Sequence, residues 1–153
     1  MTDRHGVLYL TTRVGFSAAH QLTNPEWTEA HNREVFHECA RPHGHDYALE
    51  VTVRGAPDPR TGMVIDLKEL KRRVRAGFSD RVDHRDLNRD LPALEGRIPT
   101  AENLVTAAWF MLEPLFPEPA VLHRLRLYET DRSFVETFGP AAAAGDPERN
   151  PPS

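Results

Sequence analysis

Cys39 is the only cysteine in 153 residues. It has no partner within the chain, so a small domain stapled by disulfides is excluded and a reducing cytoplasm is the expected setting. Long apolar runs are missing as well. Nothing approaches the length that crosses a bilayer, and no signal peptide is expected behind Met1-Thr2-Asp3-Arg4-His5-Gly6. Positive charge is not in excess: the formal net charge is -4. That argues against nonspecific nucleic-acid binding, which needs a basic surface, but leaves room for a local basic pocket. Repeats at solenoid spacing are absent. With 39% hydrophobic and 27% charged residues, the chain suits one ordinary domain with a packed core.

Several segments carry a clear period. From Val7 to Phe16, residues Leu8, Leu10, Val14 and Phe16 share one parity, which predicts a strand; Ala18 and His20 continue that parity. Tyr47, Leu49, Val51 and Val53 alternate in a second strand that ends near Gly55, and His43 and His45 share their parity. After the turn signal Asp58-Pro59-Arg60-Thr61-Gly62, Asp66 is placed to cap a helix with Leu67, Leu70, Val74 and Phe78 on one stripe. Residues 81–96 are polar and loop-like. Pro99-Thr100 opens a second helix, whose last turn is disturbed by Pro114. Leu122 to Thr130 and Ser133 to Phe138 are strands. The segment from Leu22 to Glu38 shows no period and is expected to be a long loop. The predicted order is β-β-α-α-β-β in an α+β domain over residues 1–139. A tail over residues 140–153, rich in Ala, Pro and charge, is expected to be disordered.

The chemistry concentrates around Cys39-Ala40-Arg41-Pro42-His43-Gly44-His45. Imidazole is the commonest side-chain metal ligand. His20, His43 and His45 share the phase of apolar strand faces, so all three can point into one protected space. Three histidines would leave a fourth zinc position free, as catalytic sites do. Cys39 has two readings: a base or nucleophile beside the metal, or the fourth ligand that closes a structural shell. His5, His31, His37 and His123 lack such spacing and read as structural. Asp83-His84 is either a proton relay or a surface pair. Glu129 lies in phase with Leu125 and Leu127, so its carboxylate faces the core side and needs donors. A 2-amino-4-oxo heterocycle would supply two parallel N–H groups; Arg124, Arg126 or Arg132 would serve instead if Glu129 is merely a strand-end ion-pair partner. Glu102, just inside the second helix, suits the helix dipole.

Taken together, these segments resemble the 6-pyruvoyltetrahydropterin synthase and 6-carboxytetrahydropterin synthase family. The likeness is carried by Phe16-Ser17-Ala18-Ala19-His20, Cys39 to Tyr47, Gly62 to Leu67, Asp83-His84-Arg85-Asp86-Leu87-Asn88, Pro99-Thr100-Ala101-Glu102-Asn103 and Tyr128-Glu129-Thr130. The resemblance implies zinc held by His20, His43 and His45, and catalysis by Cys39 with Asp83 and His84. It implies a pterin pocket with Glu129 anchoring the ring and Thr100 and Glu102 lining it. It also implies a tunnelling fold, a four-stranded antiparallel sheet with two helices on one face, assembled as a homo-hexamer of stacked trimers with active sites between subunits. The substrate it implies is 7,8-dihydroneopterin triphosphate. The Cys-x-x-x-His-Gly-His spacing is similar to the carboxy-forming branch of 7-deazaguanine (queuosine) biosynthesis, which releases acetaldehyde and triphosphate. The pyruvoyl-forming branch is the alternative, and a noncatalytic zinc protein is the alternative of another class.

Overall fold

The computed structural model describes residues 4–140. The tail expected over residues 140–153 lies, but for Pro140, outside the described residues. Two long strands dominate the sheet: β1 (Leu8–His20) and β2 (His43–Gly55), paired antiparallel from Leu8↔Gly55 to His20↔His43. β4 (Val121–Thr130) pairs with β2, and β5 (Ser133–Thr137) forms a hairpin with β4. These four strands are the antiparallel set that the periodicity predicts. One strand was not predicted. β3 (Arg85–Asp86) runs parallel to β1 at Ala18 and Ala19, so the sheet is mixed and five-stranded, in the order β3-β1-β2-β4-β5. Two residues are too few to show a period.

The segment from Leu22 to Glu38 is the second difference. It contains α1 (Glu29–Phe36), followed by a 3-10 turn over His37–Ala40. Thr28 caps α1 by accepting a hydrogen bond from the His31 N–H. Buried Asn32 bonds back to Asn24 through both its amide oxygen and its amide nitrogen. The helix is therefore held by caps and polar side chains, and an apolar stripe never appears in its sequence.

α2 (Leu67–Val74) starts after Asp66, as expected, although the Asp66 side chain makes no capping bond. A π-turn over Arg75–Ser79 extends α2 into α3 (Asp80–Val82). α4 (Ala101–Leu112) is capped by Thr100 and gives way to a 3-10 turn at Pro114. α2 and α4 cover one face of the sheet. There Val14, Phe16, Leu49, Val51, Leu125 and Leu127 meet Leu70, Val74, Phe78, Leu104, Ala108 and Leu112. The strand parities and Leu70, Val74 and Phe78 of the predicted stripe account for this core; Leu67, expected with them, is exposed at the start of α2. On the opposite face Arg126 pairs with Glu136 and Glu50, and Arg13 lies over the Tyr128 ring at 4.6 Å. His123, assigned a structural role, is buried against Tyr9 and Phe138.

The end of β2 leaves no space for a side chain. A Cβ on Gly55 would collide with the Pro119 carbonyl oxygen and stand 3.0 Å from a Val64 methyl. Backbone cannot yield as a flexible side chain does. Gly55→Ala should therefore cost about 1–3 kcal/mol, as overpacking does. Urea unfolding would show this as a lower midpoint, and an unchanged midpoint would contradict the contact.

Candidate metal centre and active site

The long β1–β2 ladder ends on the metal-ligating candidates. His20 faces His43 in register, and Ala18 faces His45. Because side chains two apart share a face, His43 and His45 both turn to the side that carries His20. The ligand nitrogens of the three histidines lie within 4.8 Å of one another. The ring centroids of His20 stand 4.5 Å from His43 and 5.0 Å from His45. His20 is buried; the other two are half-buried.

Hydrogen bonds decide which nitrogens are free. The His20 Nδ1–H donates to the Pro99 carbonyl at 2.8 Å, and the His43 Nδ1–H donates to the Arg41 carbonyl at 2.7 Å. A carbonyl only accepts, so both rings carry their proton on Nδ1 and present bare lone pairs at Nε2. Those two Nε2 atoms are 2.9 Å apart. The Nε2 atom of His45 is buried and has no hydrogen-bond partner among the described residues. Lone pairs crowded this closely repel one another, and a cation between them relieves the conflict. The donor set therefore fits a metal ion. Carbonyl partners on the remote ring nitrogens are the usual way of orienting histidine ligands.

Burial lowers the affinity of His20 for a proton, and neighbouring His43 adds to that; the Pro99 bond and the Glu129 charge oppose it. His45 is lowered in the same way, by burial first, with Glu129 opposing. Neutral imidazole is the form that ligates. Tyr47, stacked on Phe16, is buried beside this group, with its hydroxyl 3.4 Å from His20 Nδ1. Burial and the nearby Glu129 charge push its phenol well above the usual value. It stays a neutral wall of the site.

Glu129 lies where the strand phase puts it. The β4–β5 register shifts between Tyr128 and Thr130, so Glu129 occupies a bulge. Bulges re-aim side chains beside functional sites. Its Oε1 stands 3.5 Å from His45 Nε2, and the carboxylate is half-buried. Arg126 pairs with Glu50 and Glu136 on the other face, so ion pairing with that arginine does not account for Glu129.

Asp83 and His84 form a bonded pair. His84 Nδ1 donates to Asp83 Oδ1 at 3.0 Å, and the same oxygen accepts the Ser17 N–H at 2.9 Å. These bonds, Ser17 first, hold the Asp83 carboxyl below its usual range. His84 adopts a left-handed backbone, φ 58°, and its N–H donates to the Ser17 carbonyl. Asp83 thus fixes one tautomer, with the proton on His84 Nδ1. The imidazole borders an open depression of about 630 Å³ that also reaches His45, Gly44 and Asp46. No signal in the sequence marked Ser17 as the residue that holds this pair.

Cys39 sits in the 3-10 turn, half-buried, and its carbonyl accepts the Leu22 N–H at 2.8 Å. That bond ties the turn to the end of β1, two residues past His20. Cys39 stands outside the group of converging ligand atoms. Thr100 spends its hydroxyl on the Asn103 N–H, and Glu102 is exposed in the first turn of α4. The Pro99 carbonyl, which sequence reasoning missed, is the direct link from this segment to the metal centre.

Known proteins place this arrangement. A family profile described as 6-pyruvoyl tetrahydropterin synthase matches residues 9–140. The chain is 37% identical over 136 residues to the 6-pyruvoyl tetrahydrobiopterin synthase of Drosophila melanogaster, covering 88% of this chain and 81% of that protein. It is 32% identical over 124 residues to the dihydroneopterin monophosphate aldolase of Pyrococcus furiosus, covering 81% of this chain and 91% of that one. Among solved structures, Caenorhabditis elegans 6-pyruvoyl tetrahydropterin synthase superposes with a TM-score of 0.80 at 32% identity. That match covers 87% of this chain and 96% of the other. Ladder, converging imidazoles and sequence agree: the chain belongs to the 6-pyruvoyl tetrahydropterin synthase family.

Proposed function

We propose that this protein is a zinc-dependent lyase that eliminates triphosphate from 7,8-dihydroneopterin triphosphate and forms 6-pyruvoyltetrahydropterin. The observation that carries this reading is the convergence of three imidazole nitrogens beside one half-buried carboxylate. When bound, zinc would supply Lewis-acid polarisation of the substrate's side-chain oxygens. His20, His43 and His45 would hold it. Glu129 would accept the two N–H groups of the pterin ring and so fix the side chain over the site. Cys39 as thiolate would take a proton from that side chain. His84, oriented by Asp83, would carry protons to and from the intermediates. Thr100 would line the pocket from the cap of α4, with Glu102 at the rim. In the same reading, residues 1–139 form one catalytic domain. It works in the cytoplasm as a hexamer of stacked trimers, with sites completed across subunits.

The carboxy-forming reaction was the first expectation from the sequence. The relatives favour the pyruvoyl-forming one, since the matching family and the Drosophila and Caenorhabditis proteins carry that name. One observation keeps the carboxy-forming, carbon–carbon-cleaving reaction as a second reading: three residues, not five, separate Cys39 from His43. One relative is named a dihydroneopterin monophosphate aldolase, an activity that by its name also breaks a carbon–carbon bond. Incubating zinc-loaded protein with 7,8-dihydroneopterin triphosphate, without a reductase, should release triphosphate and accumulate 6-pyruvoyltetrahydropterin. Trapped acetaldehyde with 6-carboxytetrahydropterin would establish the second reading instead. Neither product from metal-loaded protein would leave a noncatalytic zinc protein.

Removing one ligand should remove the metal. His45→Ala should lose zinc while the fold survives, because the site opens on a depression and is not the core. Full zinc occupancy by elemental analysis would refute the ligand set. Protons compete with metal for the same lone pairs. His20 and His45 are held below the ordinary imidazole value of 6.5, so affinity should persist as pH falls to that value and weaken only beneath it. Metal release already complete near pH 7 would contradict this sign.

Cys39→Ala should keep zinc and lose about 10²–10⁴-fold in turnover, the usual loss for one positioned acid–base group. Near-normal turnover with zinc bound would remove the thiol from the mechanism.

A further inference from the structure

We infer that Asn103 is a positioning residue for the metal ligand His20, acting through the Pro99 carbonyl. The inference rests on the metal reading above and extends it to a residue that touches neither metal nor substrate. His20 Nδ1–H donates to the Pro99 carbonyl at 2.8 Å, so the place of that oxygen sets both the tautomer and the tilt of the ring. Pro99 is buried and has no N–H with which to anchor itself. Its neighbours do the anchoring. The Ile98 carbonyl accepts two bonds, from the Thr100 N–H and from Asn103 Nδ2, each at 2.8 Å. The Asn103 N–H in turn donates to Thr100 Oγ1 at 3.2 Å. Asn103 therefore grips the residues on both sides of Pro99, one through its side chain and one through its backbone. Among the described residues, this side-chain bond is the hydrogen bond by which α4 reaches back across the turn to Ile98.

Asn103 also stands in the first turn of α4, where a carboxylate suits the helix dipole. Asn103→Asp is thus a sharp probe. It keeps the shape and favours the helix, but it removes the donor and sets an acceptor against the Ile98 carbonyl. Thr106→Ala is the control. That hydroxyl bonds back to the Glu102 carbonyl within α4, so its loss perturbs the helix and leaves the turn alone.

The test uses the full chain, with zinc titrated against a chromophoric chelator and with ¹⁵N spectra of the His20 ring in metal-free protein. Wild type should bind zinc and show His20 protonated on Nδ1. Asn103→Asp should bind zinc about 10–100-fold more weakly, as loss of ligand-orienting contacts does. Its His20 ring should become a mixture of tautomers, while metal-free melting stays near wild type. Thr106→Ala should bind as wild type does. Equal zinc affinity in Asn103→Asp and wild type would overturn the inference, as would an equal loss in the Thr106 variant. If Asn103→Asp does not fold, Asn103→Ser shortens the side chain out of reach of Ile98 and is read by the same criteria. A wild type that binds no zinc would instead overturn the metal reading itself, which separates the two failures.

Discussion

The antiparallel register between β1 and β2 is the constraint on which the rest of the structure depends. It sets His20 opposite His43 and Ala18 opposite His45. A slip of one residue would turn a whole row of side chains to the other face. The same register that brings Val14 against Leu49 and Phe16 against Tyr47 brings the imidazoles together. Core and metal centre are thus one ladder read at two ends. The hydrophobic burial of Phe16, Leu49 and Val51 holds the lone pairs of three histidines at close range, which is unfavourable in itself. Stability made along the strand is used at its tip.

This shared ladder explains which parts were legible. Parity is visible in sequence, so the strands, the histidine triplet and the inward phase of Glu129 could all be read from it. The stripe of Leu70, Val74 and Phe78 was equally plain, though Leu67, which continues it in sequence, is exposed in the first turn of α2. α1 was hidden because its order comes from the Thr28 cap and the buried Asn32 amide, which leave no period. β3 was hidden because two residues carry no pattern. The site's supporting bonds were hidden for another reason. His20 to the Pro99 carbonyl and Asp83 to the Ser17 N–H are side-chain-to-backbone bonds across 79 and 66 residues, and their backbone partners have no sequence signature.

The two halves of the candidate site are held by different means. The imidazoles come from neighbouring central strands, and those of His20 and His43 are oriented by carbonyls. Asp83 and His84 come from the sheet margin, where helix gives way to strand, and are fastened to Ser17 by two hydrogen bonds, with the Asp83 N–H donating back to the Ser79 carbonyl. The first arrangement suits groups that must not move; the second leaves His84 facing the open depression. His84 accepts a left-handed backbone to reach that place. A non-glycine residue in this region is uncommon and persists where its surroundings enforce it.

The π-turn between α2 and α3 gives this placement a particular vulnerability. A π-turn carries one more residue than the helix around it, and such turns behave as insertions within an α-helix. Each residue of an α-helix advances the chain by about 100° of rotation. Arg75 to Ser79 therefore acts as a spacer of phase: it rotates everything downstream so that Val82 enters the core and Asp83 arrives at Ser17. Substitutions there are constrained mainly by packing, as at Gly77 beneath Leu115. Tightening of those five residues into regular α geometry, with none removed, is a different event. It would add one residue's rotation and swing Asp83 and His84 about a quarter turn away from their anchor, with every side chain of that pair still intact.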